Sequence, residues 1–481
     1  QDGTPNVTFG ANSISQVSDE LNLQNTTLTF ELDENSGSKT YLDASNASTI
    51  AIDTDSTEIL IGLDSAAAIN GANGAVLIAG NGTDLSALES SVSSLLYDIQ
   101  KKFENNNLVV KSHANDIREV ANDVGGNAGA VLEMGRTDAE KEKLAYELLD
   151  EQTVSDAQRN VADFTMEAFA SNATAQVQRI SYMNQMMAQK LTSGSWTRDW
   201  ESCYDPGDCC CLPGAMLWAS AYGLGGVTRQ YDGFARHDYD QWGTIIGADW
   251  QNDTTRFGLY YAYGQSEFAG AATAMESDDH TFGAYLRWDS FVAGGYSLLG
   301  GNYSMSNYET TYRSAFDPSK AFHGDLDGSQ GSLYFEKGWE WDNATGGRLN
   351  PYAALQYIGF QSDGFSLAET TLSDTEMDSL RSVLGLRWNR MFHLETASVN
   401  LNLGIAWHHE FADTEGTFLL SVGTYNPVVI HGNGGGRDWC EFTLGTGLIL
   451  TDRLTLSADY YLFVNAPTSV HAGSATLTWK F

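Results

Sequence analysis

Arg256-Phe-Gly-Leu-Tyr-Tyr-Ala-Tyr-Gly264 decides the reading of the C-terminal half. One face of this run carries Phe257, Leu259, Tyr261 and Tyr263, and the other carries Gly258, Tyr260, Ala262 and Gly264. Side chains alternate across a strand, so the run predicts a strand between an apolar and a more polar environment. The pattern returns in Thr281 to Trp288, with Phe282, Ala284, Leu286 and Trp288 opposite Gly283, Tyr285 and Arg287. Leu384, Leu386 and Trp388 oppose Arg381, Gly385 and Arg387, and Val399, Leu401, Leu403, Ile405 and Trp407 oppose Asn400, Asn402, Gly404 and His408. Leu454, Leu456, Ala458, Tyr460 and Leu462 oppose Thr455, Ser457, Asp459 and Tyr461.

A soluble sandwich alternates as well. Three features favour a transmembrane barrel. Aromatics cluster near strand ends (Trp242, Trp250, Trp288, Trp339, Trp341, Trp388, Trp407 and Trp479), as interfacial girdles do. Connections alternate between short ones, at Gln251 to Thr254, Asp289-Ser290 and Thr451 to Arg453, and long polar ones near 229–240, 265–279, 307–324, 361–377 and 411–437. About twelve strands start near 215, 242, 256, 280, 291, 329, 349, 379, 397, 439, 454 and 473, and an even number returns the C-terminus to the starting rim.

Composition agrees. The 481 residues contain 48 Gly, 22 Tyr, 21 Phe and 12 Trp with only 7 Pro, a mixture suited to long strands. No apolar run reaches the roughly 18 residues of a spanning helix. With 26 basic against 62 acidic residues, the net charge of −36 repels phosphate backbones and excludes nucleic acid as a partner. The chain opens Gln1-Asp2-Gly3 without a basic n-region or apolar h-region, as a processed mature product would.

Residues 1–83 are acidic, and Lys39 is the only basic residue before Lys101. Thr27 to Leu32, Ser48 to Ile52, Glu58 to Leu63 and Ala75 to Ile78 are β-like bursts at irregular spacing, predicting a small solenoid or sandwich-like module. Asp53 and Asp55 form no calcium loop, because the glycine that such a loop needs is missing.

From Asp84 the pattern predicts helix. Leu85, Leu88, Val92, Leu95, Ile99 and Phe103 follow helical spacing, glycines 125, 126 and 129 interrupt it, and Thr137 with Glu140 makes a capping box for a second helix reaching 192. Unbroken, that helix would be on the order of 80 Å long. Val154, Val161, Ala168 and Ala175 recur every seven residues with Ala157 and Phe164 at the companion offset. They predict a helix-pairing seam, either within a hairpin or in a helix-mediated oligomer. The last part, with Met183, Met186 and Met187 among Asn172, Gln176, Arg179 and Gln185, suits a polar pore as well as a partner helix.

In residues 194–213, Cys203, Cys209, Cys210 and Cys211 fall close together. In an exported protein they are disulfide candidates; three adjacent thiolates converge poorly on one metal ion. Cys440 stands apart.

Gly243 to Asp249, Asn350-Pro-Tyr352, Asp378 to Arg387, Ala406-Trp-His-His-Glu-Phe411 and Leu454 to Tyr460 resemble the translocator β-domain of type V autotransporters over roughly 214–481. The C-terminal face of Ala475, Leu477, Trp479 and Phe481 looks like the signal read by the barrel-assembly machinery. The resemblance implies a twelve-stranded outer-membrane barrel of a diderm bacterium, a helix threaded through its pore and an N-terminal passenger at the cell surface. The expected organisation is thus a β-rich module (1–83), a helical region (84–193), a Cys-rich linker (194–213) and the barrel (214–481). The Cys cluster and the short passenger depart from the family pattern. Some relatives cleave the passenger by Asn cyclisation in the pore. Asn160, Asn172 and Asn184 are candidates by position, but no Asn-Asn pair accompanies them, which favours an uncleaved product.

No nucleophile elbow, zinc helix or P-loop is present, so neither catalysis nor a cofactor or metal is expected. His408-His409-Glu410 places its imidazoles on opposite faces of a strand. Arg287, Glu336, Arg381, Arg387, His408, Asp459 and Lys480 are expected to line the pore. The passenger is expected to be adhesive or structural, with outer-membrane lipid and an unidentified surface ligand as partners. A porin with a periplasmic helical stalk, tethering the envelope, is the alternative.

Overall fold

Phe9 stacks on Phe30 with 4.8 Å between ring centroids, because the two occupy paired positions on parallel strands. This stacking sets the N-terminal architecture. A computed structural model describes residues 6–12, 14–53, 55–63, 66–135, 139–193, 214–252, 254–290, 294–313, 321–342, 347–367, 370–394, 397–451 and 453–481. The chain divides into Gln1–Val161 and Ala162–Phe481.

In the first unit, β1 (Asn6–Phe9), β4 (Thr27–Glu31) and β7 (Glu58–Gly62) form one parallel sheet. A second stacks β2 (Ser15–Gln16), β5 (Thr40–Asp43) and β8 (Val76–Ala79), and a third pairs β3 (Glu20–Leu23) with β6 (Thr49–Ile52). Such stacked parallel coils make a solenoid. Phe30, Tyr41, Leu77 and Ile78 are buried inside it, and Ser36 satisfies the Tyr41 hydroxyl at 2.6 Å. Coil length varies, from Asn6 against Thr27 to Thr27 against Glu58, which is why no sequence repeat is visible. Asp53 accepts from Asp55 N at 3.2 Å and from Ser56 Oγ at 2.8 Å, a local turn.

The helix expected from Asp84 to Phe103 is not formed. Ser86–Leu88 is a single 3-10 turn, followed by β9 (Ser90–Ser93), β10 (Tyr97–Glu104) and β11 (Asn107–Ala114), an antiparallel extension of the β8 sheet. Ile99 and Phe103 fit period two as well as helical spacing. Asn105 and Asn106, both at positive φ (52° and 66°), make the tight turn that joins β10 to β11.

Helices follow: α1 (Ala66–Ala72) lies between β7 and β8, while α2 (Ile117–Val124), α3 (Ala128–Gly135), α4 (Ala139–Leu149), α5 (Val154–Thr165) and α6 (Ala168–Thr192) come after β11. Gly125 and Gly126, at positive φ, end α2 as expected. The single helix expected from Thr137 to 192 is instead three. One break precedes α5, where Thr153 Oγ1 accepts from Asp156 N at 3.2 Å; the other is Met166 at φ 55°, a conformation that stops a right-handed helix. The heptad positions are therefore divided between α5 and α6, with a break rather than a continuous helix between them. The proposed cap at Thr137 lies outside the described residues, as do Cys203, Cys209, Cys210 and Cys211.

The second unit is a closed antiparallel barrel. Its twelve long strands are Gly214–Thr228, His237–Gln251, Thr255–Ala269, Thr273–Asp289, Gly295–Arg313, Ala321–Trp339, Gly347–Ser362, Thr375–His393, Ser398–Glu410, Asp438–Thr451, Leu454–Val464 and Thr468–Lys480. The first and last close it from Met216 against Lys480 to Thr228 against Thr468. Leu259, Phe282, Leu384, Ile405 and Leu444 face outward and are exposed, as lipid-facing residues are. Inside, tyrosine rings lie flat on glycines of neighbouring strands. A Cβ on Gly258 would strike the Tyr285 ring, and one on Gly385 the Tyr352 ring, so Gly and Tyr abundance are two sides of one packing rule.

The polar stretches 265–279 and 307–324 are not long loops. The third strand runs to Ala269 and the fourth starts at Thr273, and the fifth and sixth pair as far as Arg313 against Ala321. Ladder hydrogen bonding continues beyond the lipid-facing zone while the outward residues turn polar. One outward row places Asp240, Glu267, Glu276, Glu309 and Asp325 directly opposite one another on five adjacent strands. At the same rim Phe365–Leu367, Thr370–Leu372, Thr417–Val422 and Val428–His431 form a small antiparallel sheet.

Candidate functional site

All 25 residues of α6 are buried, although the helix carries polar groups on every side. Twenty-five residues rise roughly 38 Å, enough to cross the lumen. At its N-terminal end Glu167 accepts from Ala235 N at 2.9 Å, Asn433 N donates to Ser171 Oγ at 2.8 Å, and Phe169 meets Phe365 at 5.0 Å. These partners belong to the long-loop rim. At the other end Lys190 and Leu191 meet Asp249 and Arg287, which adjoin the short turns. The helix therefore runs from the long-loop rim to the short-turn rim.

A polar helix is stable here because the wall answers its charged groups and several of its amides and hydroxyls, although both amide atoms of Gln185 are buried without a hydrogen-bond partner among the described residues. Arg179 pairs with Asp279 at 3.1 Å and donates to Ser304 Oγ at 3.1 Å, and Asp279 also accepts from Ser266 at 2.8 Å and from Ser306. Ser181 donates to Gln356 at 3.0 Å, and Asn184 joins Ser332 at 3.2 Å and Asn302 at 3.1 Å. Lys190 Nζ reaches Asp249 at 2.7 Å and Tyr285 at 2.9 Å, and sits 4.1 Å from the centre of the Trp218 ring. Trp218 Nε1 donates to Asp249 at 3.1 Å, and Arg256 and Tyr285 bind the same carboxylate. Arg287 donates to Leu191 O and pairs with Glu340 at 2.7 Å, a cation at a helix C-terminus. Buried charges are costly unless paired and hydrogen-bonded; these are both.

Two further clusters brace the wall. Arg387 binds Glu336 through two bonds, at 2.6 and 3.0 Å, stacks 3.7 Å from the centre of the Tyr352 ring, and shares Glu336 with Tyr296 (2.6 Å) and Tyr334. Arg381 pairs with Glu410 at 2.8 Å and reaches Gln178 of α6 at 3.2 Å. Ser379 donates to Glu410 at 2.6 Å.

Of the residues expected in the pore, Arg287, Glu336, Arg381, Arg387 and His408 are buried in the barrel. Asp459 is half-buried over Gly445 and borders a small cavity with Met186, Met187 and Lys190. Lys480 has inward parity but is exposed at the strand end, beyond the lumen. His408 turns inward to Glu441 at 2.8 Å and His409 outward to Asp438 at 2.8 Å, so their imidazoles face opposite sides. Ala475, Leu477, Trp479 and Phe481 are exposed on the outer face, and Phe481 N bonds Ala215 O at 3.1 Å. Asn172 and Asn184 lie on α6, whereas Asn160 lies on α5 and donates to Glu151 at 2.7 Å. Cys440 is a free, exposed thiol. Among the described residues no group of three His, Cys, Asp or Glu side chains converges as metal ligands.

Sequence reasoning missed Asp249, Asp279, Arg256, Glu410 and Glu441. Inward parity would have found Asp249 beside Gly247. Asp279 fell in a stretch taken for a loop, where parity has no meaning.

A lipid-facing barrel whose lumen is filled by its own N-terminal helix is a membrane-anchored export module. The autotransporter β-domain model matches residues 217–461, about half of the chain, and the chain belongs to the autotransporter family. Its barrel, in the outer membrane of a diderm bacterium, translocates and anchors an N-terminal passenger. Outer-membrane lipid and the barrel-assembly machinery are the partners typical of that membership. The translocator domain of autotransporter NalP from Neisseria meningitidis is similar in structure at TM-score 0.48 and 15% identity, covering 64% of this chain and 99% of that one. The β-domain of the Bordetella autotransporter BrkA is similar at TM-score 0.42 and 16% identity, covering 56% and 100%. The transport unit of AIDA-I from Escherichia coli is similar at TM-score 0.43 and 14% identity, covering 61% and 97%. No curated protein matches the chain.

Proposed function

We propose that residues 1 to about 160 are a surface-displayed adhesive or coat-forming module, exported through the barrel and then held, uncleaved, by α6. The observation that carries this reading is the direction of α6, whose N-terminal end contacts the long-loop rim through Ala235 and Asn433. In this reading Arg287, Glu336, Arg381, Arg387, His408 and Asp459 position groups rather than perform chemistry: Arg287 and Arg381 grip α6, and the others hold the wall that faces it. The outward row Ala475, Leu477, Trp479 and Phe481 serves as the assembly signal. An acidic parallel solenoid offers extended lateral surface, which favours binding.

Protease shaving of intact cells tests the proposal, with antibodies to residues 1–135 and to the barrel. Loss of the N-terminal epitope with a protected barrel is the expected result. Protection until the outer membrane is breached overturns it and favours the periplasmic stalk.

A further inference from the structure

The three solenoid sheets do not end together. Two continue into a third coil as β7 and β8, but the third stops at β6. On that side the chain passes as a turn and a 3-10 helix instead of a strand: Asn81 Nδ2 bonds Ala47 O at 2.9 Å, Asp84 accepts from Ser86 N at 2.9 Å, and Ser86–Leu88 closes the turn. Between this segment and the free edge of β6 lies a groove of about 350 Å³ lined by Gln24, Ile50, Ile52, Asp53, Asp84 and Leu88.

We propose that this groove docks an extended basic peptide, which adds as a strand along β6. A free strand edge offers backbone donors and acceptors to an incoming chain. The groove volume falls in the range of roughly 300–1,000 Å³ that binding pockets occupy. Ala51 and Ile52, both half-buried, line it with the core residues Ile50, Leu85 and Leu88, so side chains of the guest meet a small apolar surface. Asp53 and Asp84 are exposed and anionic at its rim. The hydrogen bond from Ser86 N holds the Asp84 carboxyl below the usual range. Charge complementarity with the Asp53 and Asp84 carboxylates selects lysine or arginine in the guest. The proposal deepens the adhesive reading and rests on it for its meaning on cells, but binding in solution and protease shaving fail independently.

The test uses the full chain in detergent and a fluorescein-labelled heptapeptide alternating valine and threonine with a lysine at each end. The control carries glutamates in place of the lysines. The lysine peptide should bind saturably, at least roughly ten-fold tighter than the glutamate peptide at low salt. Asp53→Asn with Asp84→Asn should weaken it about five-fold or more, and Ala51→Trp, which fills the groove, should abolish binding. The remote pair Glu119→Gln and Asp123→Asn, exposed on α2, should leave it unchanged. Absent binding, equal binding of both peptides, or equal loss in the groove and remote variants overturns the proposal; the last shows unspecific attraction to an acidic protein. A dimer in sedimentation that Ala51→Trp dissociates, with no peptide binding, overturns it in favour of self-docking.

Discussion

Lys190 of α6 and Arg256 of the third strand share one acceptor, Asp249, which is fully buried while both cations are nearly so. The plug and the wall are joined at one carboxylate. Asp249→Asn leaves two buried cations without a counter-charge and should cost about 3–5 kcal/mol. Lys190→Met leaves Asp249 paired with Arg256 and should cost well under that. Urea midpoints of the refolded barrel measure both, and equal losses would contradict the shared-acceptor arrangement.

The filled lumen predicts low conductance. Full-length protein in planar bilayers should pass little current, and removal of residues 162–193 should raise single-channel conductance several-fold. A large, steady conductance of the intact chain would instead support the porin alternative.

At the long-loop rim a Cβ on Gly432 would lie 2.5 Å from backbone atoms of Ala170 and Ser171. Backbone cannot yield as a side chain does, so Gly432→Val should push the small sheet away from α6. Proteolysis within 411–437 should speed up while the barrel keeps its heat-modifiable gel migration; unchanged cleavage would refute the contact.

Glu276 lies directly between Glu267 and Glu309, and like charges opposite one another on strands are destabilising. Glu276→Gln should stabilise the barrel by about 0.2–1 kcal/mol and reduce its response to added salt. Thermal unfolding at low and high ionic strength would show both effects, and a destabilised variant would mean the row is held by cations.

In the N-terminal unit, burial raises the Asp150 carboxyl above its usual range, against the opposing pull of Ser94 and Tyr97. The folded unit thus binds this proton more tightly than the unfolded chain. Its stabilisation is complete below the ordinary carboxylate range and is lost as pH rises through the raised value. Asp150→Asn should flatten that decline and raise the unfolding temperature at neutral pH by roughly 2–4 °C. Circular dichroism melts from pH 4 to 8 decide it, and an unchanged slope would count against the assignment.

The barrel was legible because lipid enforces period two on every strand, as Phe257, Leu259, Tyr261 and Tyr263 display. The same rule hid its upper wall. Above the lipid, Glu267, Glu276 and Glu309 keep strand geometry without an apolar face, so they read as loop. Between Asp84 and Phe103 the apolar spacing satisfied two periods at once, and the deciding signal was the Asn105–Asn106 turn. The helix break at Met166 had no Gly or Pro to announce it. The lumen partners of α6 were half visible: Arg287 and Arg381 stood out on alternating strands, whereas their acidic counterparts depend on which strands end up adjacent.

In the proposed uncleaved state, α6 stays covalently continuous with both the module before it and the barrel after it, so that each barrel carries a single cargo and retains its end as a stopper. Delivery in that state is stoichiometric, one module per barrel, with no turnover. The density of modules on a cell is then set by how many chains are made and inserted, and only new synthesis can replace a module that is lost.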